Sequence, residues 1–167
     1  MIRCILFDRD GTLGELLDKR YPQTITPFAD IRKTFEILKN RGLLVGIITN
    51  QASIARGTGK DYDFEKEFLA YGVDGWAICP HDNDDNCACR KPKSGLLLEV
   101  AKKLGVAPQE CLVVGDRISD IKCALNVGAK AALVLTGYGE NEKDEALRLC
   151  PTLPILSRFD KITDILT

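Results

Sequence analysis

The sequence predicts an α/β protein, a doubly wound and mainly parallel sheet with helices on both faces. Two observations point to it. Short apolar runs alternate with segments of helical period, the pattern of successive βαβ units. These runs stop on Asp8, Thr49, Cys79 and Asp116, three of them polar, as expected where strands open onto a site at their carboxyl ends. With 167 residues the chain fits one domain over residues 1–167 with a sizeable core.

The first strand is expected over Ile2 to Asp8. Thr26 suits a helix cap with Pro27 in the first turn; Phe28, Ile31, Phe35 and Leu38 then share one face until Gly42 stops the helix. Leu43 to Thr49 reads as the second strand, and Phe64 and Phe68, four apart, mark a helix over 63–71. Gly75 to Cys79 is the third strand. Ser94 opens a helix through Leu97, Val100, Ala101 and Leu104 that ends at Gly105. Cys111 to Asp116 follows as a strand, then a helix from about Ser119 to Val127 that ends at Gly128, then a strand over Ala131 to Leu135. Beyond Gly139, Pro151 and Pro154 break the pattern and leave one or two short helices and an edge strand open.

A net charge of −1 with interleaved signs supplies no basic stripe for nucleic acid and no polybasic membrane anchor. No run approaches the ~18 apolar residues of a membrane span, and the start has no signal-peptide pattern. A cytoplasmic protein with a small-molecule partner, monomeric or weakly self-associating, is expected. The cysteines number seven, and Cys4, Cys111 and Cys123 lie in apolar patterns that suit reduced core thiols.

In FDRDGTL, strand alternation sends Asp8 and Asp10 the same way and Arg9 away. Gly11 and Thr12 then supply a turn whose amides could face a phosphate oxygen. IITNQ brings Thr49, Asn50 and Gln51 to the same sheet edge, and VVGDRISD adds Asp116 and, one helical turn on, Asp120. Taken singly, each stretch also reads as a turn, a loop start or a helix cap. Taken together, Asp8, Asp10, Asp116 and Asp120 would form a cluster of carboxylates that is costly unless a cation or protons intervene. Oxygen ligands favour Mg²⁺. That ion and Lys91 would still leave a net negative charge, so a phosphate needs further donors, with backbone amides, Arg56 and Arg90 as candidates.

CPHDNDDNCACRKPK carries Cys79, His81, Cys87 and Cys89 in the spacing C-x-H-x5-C-x-C, a full ligand set for structural Zn²⁺ with no open position for catalysis. The zinc loop, 79–91, would fix Lys91, two residues past Cys89. His81 is the only histidine, so a Ser-His-Asp triad would have to take it from the metal. Other signals carry less. Cys111 and Arg117 match C-x5-R across a buried strand rather than a phosphate loop, 82–86 lacks the Gly and Glu of a Ca²⁺ loop, and RGTGK is no P-loop.

FDRDGTL, IITNQ, RKPK and GDRISD, in that order across residues 2 to 120, resemble the four motifs of the haloacid dehalogenase superfamily of phosphohydrolases. The resemblance implies a Rossmann-like, HAD-type core without a large cap. It also implies that Asp8 attacks phosphorus to form an aspartyl phosphate, while Asp10 protonates the leaving alcohol and then activates water. Thr49 would hold a phosphoryl oxygen and Lys91 would neutralise nucleophile and phosphate. Mg²⁺ would be held by Asp8, the Asp10 carbonyl and Asp116, with Asp120 orienting Lys91 or a metal-bound water. Thr12, Asn50, Gln51, Arg56 and Arg90 are the candidate substrate contacts. Members that only dehalogenate lack the second acid, so Asp10 favours phosphate chemistry.

The zinc loop is similar to that of the group containing histidinol-phosphate phosphatase and D-glycero-D-manno-heptose 1,7-bisphosphate phosphatase. The short x5 spacing resembles the former and NQASIARG the latter, which leaves the substrate open. A binding or scaffold protein on the same fold and a related phosphotransferase or phosphomutase are the alternatives; the intact acid and lysine set speaks against the first.

Overall fold

Parallel strands cannot be joined by tight hairpins, so each apolar run must be followed by a segment that carries the chain back along one face of the sheet. The computed structural model of the chain describes residues 1–16 and 25–166 and has this form. Six parallel strands, β1 (Cys4–Phe7), β4 (Leu44–Asn50), β5 (Gly75–Cys79), β6 (Cys111–Gly115), β7 (Lys130–Val134) and β8 (Ile155–Leu156), lie in the order β5-β4-β1-β6-β7-β8. The chain therefore steps outward from β1 in one direction through β4 and β5, then returns to β1's other edge and steps the opposite way. That reversal makes the crevice beyond β1, β4 and β6 the topological switch point, where ligands collect in open α/β sheets.

Strand alternation divides the core in two. Cys4 and Leu6 pack with helices α4 (Gly95–Leu104), α5 (Ile118–Leu125) and α6 (Gly139–Leu149) on one face. Ile5 and Phe7 pack with α1 (Ile31–Asn40), α3 (Phe64–Tyr71) and α7 (Ile162–Ile165) on the other. The tail, left open by its prolines, proves to hold α6, the edge strand β8 and α7. It is anchored by Phe159, which is fully buried with its ring 6.2 Å from that of Phe7 and 6.5 Å from that of Phe35.

The helix expected to start at Thr26 and Pro27 starts later. Residues Ile25–Pro27 form β3, which pairs antiparallel with β2 (Gly14–Leu16), and the Phe28 amide donates to the Leu13 carbonyl at 3.0 Å. Those backbone groups are committed to the hairpin, so α1 begins at Ile31. A one-turn helix, α2 (Ala52–Ala55), was also not foreseen. The helix over 63–71 is borne out, with Asp63 capping it by accepting from the Lys66 amide at 2.9 Å. Among the described residues no helix is long and apolar enough to cross a membrane.

Candidate active site

Strand ends bring the acids together. Asp8 lies one residue past β1 with its amide still bonded to the Val114 carbonyl at 2.9 Å, and Asp116 lies one residue past β6. Carboxylate oxygens of Asp8, Asp116 and Asp120 lie within 4.8 Å of one another, and all three residues are buried. Lys91 reaches into the cluster, its ammonium 2.7 Å from Asp8 Oδ1, 2.6 Å from Asp120 Oδ1 and 2.9 Å from the Ile48 carbonyl. A buried ammonium on three acceptors is a fixed charge. Burial alone would lower its pKa, but Asp120 and Asp8 hold it above the ordinary lysine value.

The acids remain in excess. Burial, then the charges of Asp8 and Asp120, raise the Asp116 carboxyl well above its ordinary value. Burial also pushes Asp120 up to about 6, against the pull of Lys91. Asp10 is pushed up to about 6 by burial, with Asp8 adding to the rise and Arg9 opposing it. Three buried carboxylates held this close, with one ammonium among them, suit a hard divalent cation bound by oxygen, and the residues present fit Mg²⁺.

The remaining sequence candidates divide by what they touch. Gln51 donates to Asp10 Oδ2 and, at 2.9 Å, to the Thr49 hydroxyl, which itself lies 3.5 Å from Asp10 Oδ2. Asn50 clamps the main chain of Lys91, donating to its carbonyl at 3.1 Å and accepting from its amide at 3.0 Å. Thr12 is fully buried and its hydroxyl donates to Asp116 Oδ1 at 3.3 Å. Arg56 and Arg90 line a cleft of about 1000 Å³ that Asp8, Asp10 and Lys91 also line. Arg56 pairs with Asp82 of the cysteine loop at 2.6 and 2.5 Å, and Arg90 donates to the His81 carbonyl at 3.3 Å.

The cysteine loop converges as its spacing implies. Sulfur to sulfur distances are 3.6 Å for Cys79 to Cys87 and 3.4 Å for Cys87 to Cys89; His81 Nδ1 lies 3.6 Å from Cys79 Sγ and 3.2 Å from Cys89 Sγ. A tetrahedron built on zinc–sulfur bonds of about 2.3 Å has edges of about 3.8 Å, so the four atoms need move little to share an ion. Burial would raise the Cys87 thiol, yet the Arg90 amide and the neighbouring thiols hold it at about 6, while burial and the thiols of Cys79 and Cys87 push Cys89 up to about 12. All seven cysteines are free thiols.

Two contributors were missed by sequence reasoning. The first is the segment after β7. Thr136 donates to the Gly11 carbonyl at 2.6 Å and the Tyr138 amide to Asp116 Oδ2 at 2.9 Å, so this segment presses on the acids from the far side of β6. Gly137 has φ +57°, and a Cβ there would lie 2.1 Å from Asp116 Oδ2 and 2.7 Å from the Gly11 Cα. Gly137→Ala is therefore expected to cost about 1–2 kcal/mol from its backbone conformation alone and, by displacing Asp116, to lower kcat/KM by at least about tenfold. Gly42→Ala is the control, because Gly42 has φ +79° with nothing within 4 Å. It should lose comparable stability in a urea titration and keep its turnover; equal turnover for the two variants would contradict the argument. The second contributor is Arg9, expected to point away, whose guanidinium instead turns back to Asp10 Oδ1 at 2.7 Å.

The chain is similar to known proteins over nearly its whole length. A family model described as HAD-hydrolase-like matches residues 88–162. The chain is 34% identical to the D-glycero-beta-D-manno-heptose-1,7-bisphosphate 7-phosphatase of Haemophilus influenzae, over 96% of this chain and 100% of that protein. It is 32% identical to the D-glycero-alpha-D-manno-heptose-1,7-bisphosphate 7-phosphatase of Campylobacter jejuni, over 98% of each. Among solved structures it superposes on the D,D-heptose 1,7-bisphosphate phosphatase of B. bronchiseptica, complexed with magnesium and phosphate, with a TM-score of 0.83 and 26% identity, covering 99% of this chain and 98% of that one. The strand-end acids and these relatives lead to one conclusion: the chain belongs to the haloacid dehalogenase superfamily, in the group that contains the heptose-bisphosphate phosphatases, and is a phosphoric monoester hydrolase.

Proposed function

We propose that the protein is a Mg²⁺-dependent heptose 1,7-bisphosphate 7-phosphatase that works through a phosphoryl group carried on Asp8. The observation that carries the mechanism is the buried set of Asp8, Lys91 and Asp120, with Asp10 two residues from the nucleophile and Asp116 alongside. The substrate reading is supported by the relatives, whose names specify this sugar bisphosphate. Histidinol phosphate is the second reading, favoured by the short x5 spacing of the cysteine loop.

In this reading Lys91 fixes Asp8 Oδ1, and the other carboxylate oxygen meets phosphorus in line with the leaving sugar oxygen. Asp10 gives that oxygen a proton as the ester bond breaks, then takes one from the water that hydrolyses the aspartyl phosphate. Thr49 and Lys91 hold phosphoryl oxygens. Asp8, the Asp10 carbonyl and Asp116 would hold Mg²⁺, with Asp120 fixing Lys91; the cation supplies charge neutralisation as phosphoryl oxygens approach the acids. Arg56, Arg90, Lys93 and Arg117 on the cleft wall suit a substrate with a second phosphate. Zn²⁺ on Cys79, His81, Cys87 and Cys89 would be structural, holding the loop that leads into Lys91.

The test is a screen of phosphate release with and without Mg²⁺ against both anomers of heptose 1,7-bisphosphate, the heptose 1-phosphate, histidinol phosphate and fructose 1,6-bisphosphate. The expected result is Mg²⁺-dependent release of one phosphate, highest in kcat/KM for a heptose bisphosphate and leaving the 1-phosphate intact. Preference for histidinol phosphate would move the assignment to the second reading, and Mg²⁺-independent release would sink the mechanism.

A further inference from the structure

Arg9 is fully buried although it stands between two acids at a strand end. Its Nε and Nη2 donate to the two carboxylate oxygens of Glu67 on α3, each at 2.8 Å, and Nη2 also reaches the Tyr62 hydroxyl at 3.3 Å. The guanidinium carbon lies 5.4 Å from the ring centre of Tyr62 and 5.3 Å from that of Phe64. A planar guanidinium held in this bidentate way has no freedom left to choose where its remaining nitrogen points. That nitrogen, Nη1, donates to Asp10 Oδ1.

The other oxygen of Asp10 is treated differently. Oδ2 accepts from Gln51 and faces the Thr49 hydroxyl, both at the end of β4, the strand beside the cleft. The two ends of one carboxyl group are thus gripped by separate parts of the fold. Among the described residues the grip on Oδ1 runs through Arg9 to residues 62–67, which lie outside all four motifs.

We propose that Arg9 is a positioning residue for proton transfer: anchored by Glu67, Tyr62 and Phe64, it holds Asp10 Oδ1 and thereby aims Oδ2 at the oxygen of the leaving alcohol. The inference rests on the reading of Asp10 as general acid. It also separates Arg9 from a mere bolt between β1 and α3. A bolt would matter equally for every substrate, whereas an aimed acid matters only where the leaving group needs a proton.

The experiment compares kcat/KM for a sugar phosphate and for p-nitrophenyl phosphate, whose nitrophenolate departs without protonation, in the wild type and in Asp10→Asn, Arg9→Lys, Glu67→Gln and Tyr62→Phe. This parameter reports steps up to formation of the phosphorylated Asp8. Asp10→Asn should raise the ratio of aryl to sugar activity by about 10²-fold or more, the usual worth of a general acid. Arg9→Lys and Glu67→Gln should raise it by about tenfold or more, with a smaller rise for Tyr62→Phe. If Asp10→Asn raises the ratio and the other variants do not, Arg9 is only a bolt and the inference falls while the mechanism stands. If Asp10→Asn leaves the ratio unchanged, the general-acid reading falls and takes the inference with it. Should Arg9→Lys fail to fold, Glu67→Gln and Tyr62→Phe, which leave Arg9 in place, decide the matter.

Discussion

Asp8→Asn is expected to lower phosphate release by at least about 10⁴-fold, because a carboxamide of the same shape cannot carry a phosphoryl group. The fold should survive. Lys91 keeps Asp120 at 2.6 Å as a counter-ion, so the substitution leaves no isolated charge in the core. It also removes a repulsion, since the charge of Asp8 is one of the causes that raise Asp116 and Asp120. Without added cation, the variant should therefore melt at or above the wild-type temperature. Steady-state phosphate release and a thermal melt on the same sample check both halves. Turnover within tenfold of wild type would remove Asp8 as the nucleophile.

Metal analysis should find about one zinc per chain, and Cys87→Ser should abolish it. Loss of a structural zinc is expected to lower the melting temperature by at least about 10 °C, since such ions are worth many kcal/mol of folding free energy where the ligands have no other partner. The effect should reach catalysis as well. Lys93 donates to the Cys87 carbonyl at 2.7 Å and Arg90 to the His81 carbonyl, so the chain on either side of Lys91 is tied to the same loop. Asn50 still clamps the Lys91 main chain, so activity should fall without vanishing. A zinc-free protein with unchanged melting temperature and turnover would rule out the ligand assignment.

The strand-end cluster was readable in advance because the motifs that carry Asp8, Thr49 and Asp116 are contiguous and sit where an apolar run stops. Asp8, Thr49 and Asp116 needed only the rule that parallel strands share one carboxyl edge, and the sheet brings them together with Lys91. The hairpin of β2 and β3 was not readable, because three-residue strands show no period and Pro27 resembles a helix start. The segment at Thr136 to Tyr138 contributes one hydroxyl, one amide and the absence of a side chain at Gly137, which leaves little for a residue-by-residue search. Two glycines around Tyr138, straight after a strand, were the available signal. Arg9 escaped because alternation fixes the direction of Cβ, while a side chain as long as arginine can double back to its neighbour.

The central place of β1 bears on how the enzyme would lose activity under mild stress. Its amides bond into strands on both sides, which puts Ile5, Leu6 and Phe7 among the groups that exchange hydrogen only when the whole molecule opens. β8, two residues long at the sheet edge and paired among the described strands with β7 alone, belongs to the least protected end of the same sheet. The Leu135 amide bonds to Leu156 in β8, and Thr136 to Tyr138 follow directly. Fraying of that edge would release Asp116 while β1 stays locked, so inactivation would precede unfolding and would reverse without refolding.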